Sequence, residues 1–195
     1  MTAAPQPLVI LDRDGVINRD SVEFIKSPEE FLPLPGSIEA IAALTQAGYR
    51  VVVASNQSGL GRGLFSVETL DKIHAKLHAH VTAAGGRVLE IFYCPHKPDE
   101  GCRCRKPLPG LFEKIAERFA CDLNGVPAIG DSMRDLEAAE AAGAQPILVR
   151  TGNGKKTESK LRASDLQNGA NIPVYDDLRA AANAIVKAID RGNIS

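Results

Sequence analysis

The sequence lacks any apolar run long enough to cross a bilayer, which requires about 18 residues or more. Its N-terminal residues carry no basic patch followed by an apolar stretch, so we expect no secretory signal. An excess of charge of either sign is also missing, because 23 basic residues face 24 acidic ones for a net charge of −1. Near neutrality argues against a nucleic-acid partner or a membrane surface. We therefore expect a soluble cytoplasmic protein.

Cysteine is scarce, and its placement argues against a disulfide framework. Three of the four cysteines fall within eleven residues of one another, whereas a set of structural bridges would spread them along the chain. A chain of 195 residues can bury roughly 70% of its unfolded surface without bridges. We expect one domain covering residues 1–195.

Short apolar runs alternate with longer amphipathic stretches along the chain. The runs predict buried strands at 8–11, 50–54, 88–93, 126–129 and 146–149. Helical spacing and capping residues predict helices near 37–47, 66–84, 110–119, 132–142 and 177–190. This alternation predicts an α/β fold, a Rossmann-like doubly wound parallel sheet. The stretch 151–173, rich in Gly, Asn, Lys and Ser, is predicted to be a long loop.

Two carboxylates follow the first predicted strand. Asp12 and Asp14 are separated by one residue, and Gly15 permits a tight turn after them. An isolated Asp-x-Asp-Gly is more often an Asx turn that closes a strand. An open parallel sheet, however, binds its ligands beyond the carboxyl ends of its strands. That position favours a chemical role for both acids.

Other polar residues follow the later strands. Ser55 and Asn56 are common turn residues, but a hydroxyl and loop N–H groups can also hold a phosphate oxygen. Asp131 fits a helix N-cap equally well. Three acidic strand ends repel one another unless a cation lies among them, and hard oxygen ligands indicate Mg²⁺. Lys106 would neutralise this cluster and bind a phosphoryl group, although it also fits an exposed loop lysine.

Three cysteines and one histidine form a second group of possible metal ligands. They come as two i, i+2 pairs separated by five residues, and three thiolates with one imidazole make a closed structural zinc site. We predict Zn²⁺ in the loop 94–105, where it would stiffen the segment that delivers Arg105 and Lys106; chance clustering of thiols is the alternative. The predicted ligands are Cys94, His96, Cys102 and Cys104.

The remaining cysteine and the helical histidines are predicted to have no chemical role. Cys121 has no partner in sequence and is expected to be an apolar filler. His74 and His78 are four residues apart on a predicted helix, with no acid or thiol close in sequence. We expect them on a solvated face.

Taken in order, these motifs resemble those of the haloacid dehalogenase-like phosphohydrolases. The resemblance spans residues 8–150 and rests on Asp12-x-Asp14-Gly15-Val16, Ser55-Asn56, Lys106 and Gly130-Asp131-x-x-x-Asp135. It implies a phosphoric monoester hydrolase that requires Mg²⁺. The intervals 14–55 and 55–94 are too short for an inserted cap domain, so we expect a capless domain with an open site, which favours a monomer.

The resemblance also implies a role for each motif residue. Asp12 would be the nucleophile that forms an aspartyl phosphate, and Asp14 the general acid and base. Mg²⁺ would be held by Asp12, the backbone carbonyl of Asp14, and Asp131. The substrate-binding residues of the same motifs are Ser55, Asn56, Gln57 and Lys106.

Two subfamilies of this family carry a zinc loop that ends in Cys-Arg-Lys-Pro. One removes the C7 phosphate of a heptose 1,7-bisphosphate in the synthesis of nucleotide-heptose precursors for lipopolysaccharide, and the other hydrolyses histidinol phosphate. The segments 17–30, 55–65 and 151–154 resemble the first subfamily. Arg62 and Arg105 are then candidate contacts for the distal phosphate or the sugar hydroxyls. A histidinol-phosphate phosphatase, a phosphotransferase and a non-catalytic zinc-stabilised binding module remain as alternatives.

Overall fold

The structure is a computed structural model and describes residues 6–163 and 172–192. Its strands are β1 (Leu8–Leu11), β2 (Arg50–Asn56), β3 (Val88–Cys94), β4 (Pro127–Gly130), β5 (Gln145–Val149) and β6 (Val174–Tyr175). Its helices are α1 (Ser37–Gln46), α2 (Ser58–Gly61), α3 (Val67–Ala83), α4 (Gly110–Phe119), α5 (Met133–Ala141), α6 (Gly154–Ala163) and α7 (Leu178–Gly192).

The strands form one parallel sheet in the order β3-β2-β1-β4-β5-β6. This confirms the predicted Rossmann-like doubly wound α/β fold. The central strand pairs with β2 on one side and β4 on the other, so the direction in which the chain adds strands reverses there. Reversal points of this kind open a crevice at the carboxyl ends of the strands.

Helices cover both faces of the sheet, which explains why β1 is apolar along its whole length. Val9 and Leu11 belong to one core cluster, shared with α1, α3 and α7. Leu8 and Ile10 belong to a second cluster, shared with α4 and α5. All four β1 side chains are at most 3% exposed. The strand is thus held rigidly, and the loop that follows it begins at a fixed point.

The predicted loop 151–173 is wrong over much of its length, because α6 occupies residues 154–163. Its buried side chains include Thr157 and Leu161, and Leu161 packs against Leu136 and Leu148. So narrow an apolar stripe leaves little periodic signal, although Lys, Glu and Arg are good helix formers. Residues 164–171 of this prediction lie outside the described residues.

Two shorter elements also differ from the sequence prediction. The four-residue helix α2 begins directly after the β2 loop, and β6 adds a two-residue edge strand to β5. The predicted N-cap of α3 is confirmed, since the Ser66 side chain accepts a hydrogen bond from the Thr69 N–H. Among the described residues, none of the helices has the length and apolar character needed to span a bilayer.

Candidate active site

The carboxyl ends of β1, β2 and β4 open into one cavity of about 220 Å³. Asp12 is the first residue after β1, and Asp131 is the first residue after β4. The sequence-predicted residues that line the cavity are Asp12, Asp14, Ser55, Asn56, Gln57, Arg105, Lys106 and Asp131. The structure thus brings eight of the nine predicted catalytic, substrate-contact and magnesium-ligand positions, all but Arg62, into one cavity.

Lys106 lies at the centre of the acidic cluster. Its ammonium group contacts Asp12 Oδ1 at 3.0 Å and Asp135 Oδ1 at 2.5 Å, and donates to the Ala54 carbonyl at 2.7 Å. Burial lowers its pKa, but the two carboxylates outweigh burial and hold the pKa above its ordinary value. The lysine is therefore a buried, permanent positive charge and not the exposed loop residue that its sequence also allowed.

Asn56 fixes the loop that carries this lysine. Its Nδ2 donates to the Lys106 carbonyl and its Oδ1 accepts from the Lys106 N–H, both at 3.0 Å. This paired contact bridges 50 positions of sequence. Asn56 thus acts on the backbone of Lys106, a role that no local sequence pattern indicates.

Two acids of this cluster, Asp12 and Asp131, are held in surroundings that disfavour their ionised forms. Burial, and then the charge of Asp135, raises the pKa of Asp12 well above its ordinary range. The same two causes raise the pKa of Asp131 to about 7. One oxygen from each of Asp12, Asp131 and Asp135 lies within 4.8 Å of the others. Oxygen donors crowded in this way fit a hard divalent cation such as Mg²⁺, which would favour their ionised forms.

Asp135 is already engaged by the protein. Its Oδ2 accepts hydrogen bonds from the Ser132 N–H at 3.0 Å and from Ser132 Oγ at 2.6 Å. Burial raises its pKa, but Lys106 and Ser132 outweigh burial and lower it. With both oxygens occupied, Asp135 fits a role in anchoring Lys106, which leaves Asp12 and Asp131 as the carboxylates best placed to hold a cation.

Glycines and an asparagine surround Asp131. A Cβ atom at Gly15 or at Gly152 would lie 2.1 Å from Asp131 Oδ2, so neither position has room for a side chain. The Asn153 N–H donates to the same oxygen at 2.7 Å, and Thr151 Oγ1 donates to the Gly15 carbonyl at 2.6 Å. The segment 151–153 therefore packs against Gly15 and the Asp131 carboxylate, and Asn153 lines the cavity.

Hydrogen-bond donors also surround the carboxylate of Asp14. Asn18 Nδ2 donates to Oδ1 at 2.8 Å, and Gln57 Nε2 donates to Oδ2 at 2.9 Å. The fully buried Arg13 adds a short ion pair at 2.9 Å. Gln57 Nε2 also donates to Ser55 Oγ at 2.8 Å, so it ties the β1 loop to the β2 loop.

His74 does not lie on a solvated face, as its sequence context predicted. It is 8% exposed, and its Nε2 lies 3.4 Å from Arg13 Nη1. Burial, followed by the charge of Arg13, lowers its pKa to about 3. The prediction failed because the partner is 61 positions away in sequence.

The cysteine cluster has the dimensions of a tetrahedral metal site. The Sγ atom of Cys102 lies 3.6 Å from that of Cys94 and 3.7 Å from that of Cys104. His96 Nδ1 lies 3.3 Å from Cys104 Sγ. Ligands of a zinc tetrahedron with bonds of about 2.3 Å lie about 3.8 Å apart. The four side chains can therefore hold a metal ion. Cys121 lies apart from them, half-buried against the second core cluster.

Arginines flank the mouth of the cavity. Arg105 and Arg134 line it, whereas Arg62 does not; the exposed Arg62 guanidinium lies 5.9 Å from the ring of Phe24, which does. Burial, and then the charge of Arg134, lowers the pKa of Arg105. None of these three arginines forms an ion pair with a described residue.

Several lining residues were missed by the sequence analysis. Asp135 was quoted only as part of a motif, and its spacing from Asp131 was the available signal. Six further lining residues were not named individually, although they lie in the segments 17–30, 55–65 and 151–154 that resemble the first subfamily: Asp20, Ser21, Phe24, Ile25, Ser58 and Asn153. Ser132 and Arg134 also line the cavity and lie outside those segments.

Several known proteins are similar to this chain in sequence. The D-glycero-beta-D-manno-heptose-1,7-bisphosphate 7-phosphatase of Bordetella bronchiseptica is 56% identical over 92% of this chain and 98% of its own length. The enzyme of the same name from Pseudomonas aeruginosa is 51% identical over 92% of this chain and 98% of its own length.

A solved structure is similar as well. The crystal structure of a D,D-heptose 1,7-bisphosphate phosphatase from B. bronchiseptica, complexed with magnesium and phosphate, has a TM-score of 0.88 and 55% identity, covering 93% of this chain and 99% of that one. The haloacid dehalogenase-like hydrolase family matches residues 4–143, and a HAD-hydrolase-like family matches residues 103–184. With its strand-end acids, buried lysine and doubly wound sheet, the chain belongs to the haloacid dehalogenase-like hydrolases.

Proposed function

We propose that this chain is a magnesium-dependent phosphatase that removes the C7 phosphate of D-glycero-D-manno-heptose 1,7-bisphosphate. The observation that carries the proposal is the single cavity in which the acids and Lys106 meet, in a chain about half identical to phosphatases named for that substrate. The names of those relatives favour the β anomer. We expect the reaction to run in the cytoplasm and to supply a precursor of the nucleotide-heptose used for lipopolysaccharide.

Asp12 and Asp131, with the backbone carbonyl of Asp14, would hold Mg²⁺. The bound ion would offset repulsion between a carboxylate nucleophile and a dianionic phosphate. Lys106 supplies a second fixed positive charge, 3.0 Å from the Asp12 carboxylate. Ser55, Asn56 and Gln57 complete the phosphate-binding edge, with Asn56 acting through the lysine loop.

Two steps then share the same pair of acids. In the first, the Asp12 carboxylate bonds to phosphorus while the bond from phosphorus to the C7 oxygen breaks, and Asp14 gives its proton to that oxygen. In the second, Asp14 takes a proton from a water molecule that attacks phosphorus. Inorganic phosphate leaves and the Asp12 carboxylate is restored. Asp14 keeps 21% of its side chain exposed, which suits an exchange of protons with substrate and water.

Substrate selectivity would come from loops, since the described residues contain no cap domain inserted between the strands. We propose that Arg105 and Arg134 contact the C1 phosphate, because both line the cavity with their charge unpaired by described residues. Arg62 would contribute through Phe24, over which it lies. A guanidinium group suits both phosphate oxygens and sugar hydroxyls.

We also propose that the metal held by Cys94, His96, Cys102 and Cys104 is Zn²⁺ and that its role is structural. Sulfur and nitrogen donors in a closed set of four favour zinc and leave no position for substrate. The segment between β3 and α4 contains no helix or strand, so a bound ion would fix the conformation of the chain just before Lys106.

The substrate assignment is tested by phosphate release from both anomers of the bisphosphate and from histidinol phosphate, with Mg²⁺ present. We expect kcat/KM for the β anomer to exceed that for histidinol phosphate by at least about 100-fold, because buried polar contacts discriminate strongly. A reversed ranking would overturn the substrate assignment. Asp12→Asn should abolish turnover, and an active Asp12→Asn protein would return the binding-module alternative.

Hydrolysis and phosphotransfer are separated by an added acceptor. Turnover in the presence of a simple alcohol or a second sugar should give inorganic phosphate as the main product. A phosphorylated acceptor as the main product would identify a phosphotransferase that uses the same aspartyl phosphate.

A further inference from the structure

Arg13 stands between the two acids of the first motif, yet its side chain is 0% exposed and does not line the cavity. A buried guanidinium keeps its charge and therefore needs a counterion and acceptors for its donors. Nε and Nη2 donate to Asp14 Oδ1 at 3.1 and 2.9 Å, and Nη2 also reaches Oδ2 at 2.9 Å. Asp14 is its ion-pair partner among the described residues.

Gln57 ties this pair to the phosphate-binding edge. Its Oε1 accepts from Arg13 Nη2 at 3.1 Å, while its Nε2 donates to Asp14 Oδ2 and to Ser55 Oγ. The side chain is 4% exposed. A displacement of the guanidinium would therefore disturb the position of Asp14 relative to Ser55.

His74 closes the far side of the guanidinium. Its ring lies on the buried face of α3, with its centroid 5.9 Å from that of Tyr93. Its lowered pKa keeps the ring neutral, so Nε2 can accept from Arg13 Nη1 at 3.4 Å. Neither His74 nor Arg13 lines the cavity, so neither is placed to touch substrate.

We propose that Arg13, braced by His74, is a positioning residue that fixes the Asp14 carboxylate for proton transfer to the leaving oxygen. The inference rests on the proposed phosphatase function. A general acid must come within about 2.6–3.2 Å of the oxygen it protonates, and a misplacement of about 1 Å can cost about 100-fold in rate. The forked Arg13 guanidinium contacts both oxygens of Asp14. Such paired contacts restrict the position and orientation of a carboxylate more closely than a single hydrogen bond does.

The test compares leaving groups. Phenyl phosphate and 4-nitrophenyl phosphate share a ring, but the nitrophenolate departs without needing a proton. Since kcat/KM covers only the steps up to departure of the leaving group, it excludes the later role of Asp14 as a base. We expect Arg13→Lys to lower kcat/KM about 100-fold for phenyl phosphate and less than about tenfold for 4-nitrophenyl phosphate. His74→Phe, which removes only the acceptor for Nη1, should show the same selectivity with a smaller loss.

The control is Ile73→Val, which changes packing at the neighbouring buried position of α3 and should leave the ratio between the two substrates unchanged. In an Asp14→Asn background, Arg13→Lys should cause no further loss for phenyl phosphate, because both changes remove one function. Equal losses on both substrates, or additive losses in the double variant, would show that Arg13 is merely structural. A wild-type protein with no phosphatase activity would instead refute the proposed function, and the positioning role with it.

Discussion

At the scale of single residues, the glycines around Asp131 show how closely the backbone determines the site. Gly15 and Gly152 both have positive φ, at 83° and 55°. Their α-carbons also approach each other, since a Cβ on Gly152 would lie 2.6 Å from the Gly15 Cα. Any side chain there would displace the Asp131 carboxylate, so the absence of a side chain at both positions keeps Asp131 in place as a proposed metal ligand.

Gly152→Ala should therefore weaken the response to Mg²⁺. The new methyl group would occupy the position of Asp131 Oδ2, and displacing a ligand support of this kind typically lowers metal affinity about 10–100-fold. The measurement is phosphatase activity as a function of Mg²⁺ concentration. Gly48→Ala is the matched control, because Gly48 also has a positive φ of 88° but has open space around it. Equal Mg²⁺ dependence in the two variants would mean that only backbone strain matters.

At the scale of secondary-structure elements, the predictable parts of the fold are those with strong local patterns. The strands β1 and β2 are continuous apolar runs, and the strand ends alone predicted the positions of Asp12, Asp14 and Asp131. The helix α6 escaped prediction because its buried contacts with the core depend on Thr157 and Leu161. Its hydroxyl contact, from Thr157 Oγ1 to the Asp131 carbonyl at 2.8 Å, spans 26 positions and has no local signature.

The candidate site divides in the same way. Residues that follow strands could be predicted because a parallel sheet gathers its carboxyl ends. Arg134 could not, because the first turn of a helix brings it to the cavity. His74 was misplaced for a related reason, since a polar residue on a buried helical face is recognised only when its partner, Arg13, is known.

The loop 94–105 is the element whose stability we expect to depend on metal. Cys102→Ser should lower zinc content well below one ion per chain, and should lower the free energy of unfolding by on the order of 3 kcal/mol, since loss of a metal is among the larger single-site effects. Activity should fall with it, because the loop continues into Lys106. Cys121→Ser is the control, as Cys121 lies outside the cluster. Metal analysis and thermal unfolding decide the matter; a full zinc complement and unchanged Tm in Cys102→Ser would contradict the structural role.

At the scale of the whole molecule, a net charge of −1 hides a sharp local separation. The acids lie at the base of the cavity around Lys106, while Arg105 and Arg134 line the same cavity and Arg62 lies close to its rim. A substrate with a phosphate at each end could place one phosphate at the proposed cation site at the base of the cavity and the other beside the arginines. The overall neutrality that argues against polyanion partners is thus compatible with strong attraction for a small bisphosphate.

This separation predicts a salt dependence that differs between substrates. Surface charges interact over about 30 Å at 0.01 M salt but only about 8 Å at 0.15 M. Raising NaCl between these concentrations should therefore lower kcat/KM for the bisphosphate roughly fivefold. A sugar monophosphate without the distal phosphate should respond much less at the same Mg²⁺ concentration. Arg134→Gln should flatten the bisphosphate curve, whereas Arg118→Gln, an exposed arginine that instead pairs with Glu90, should not. Parallel salt curves for the two substrates would contradict a role for the arginines in binding the distal phosphate. In that case the second phosphate would add no electrostatic attraction to that of the C7 phosphate.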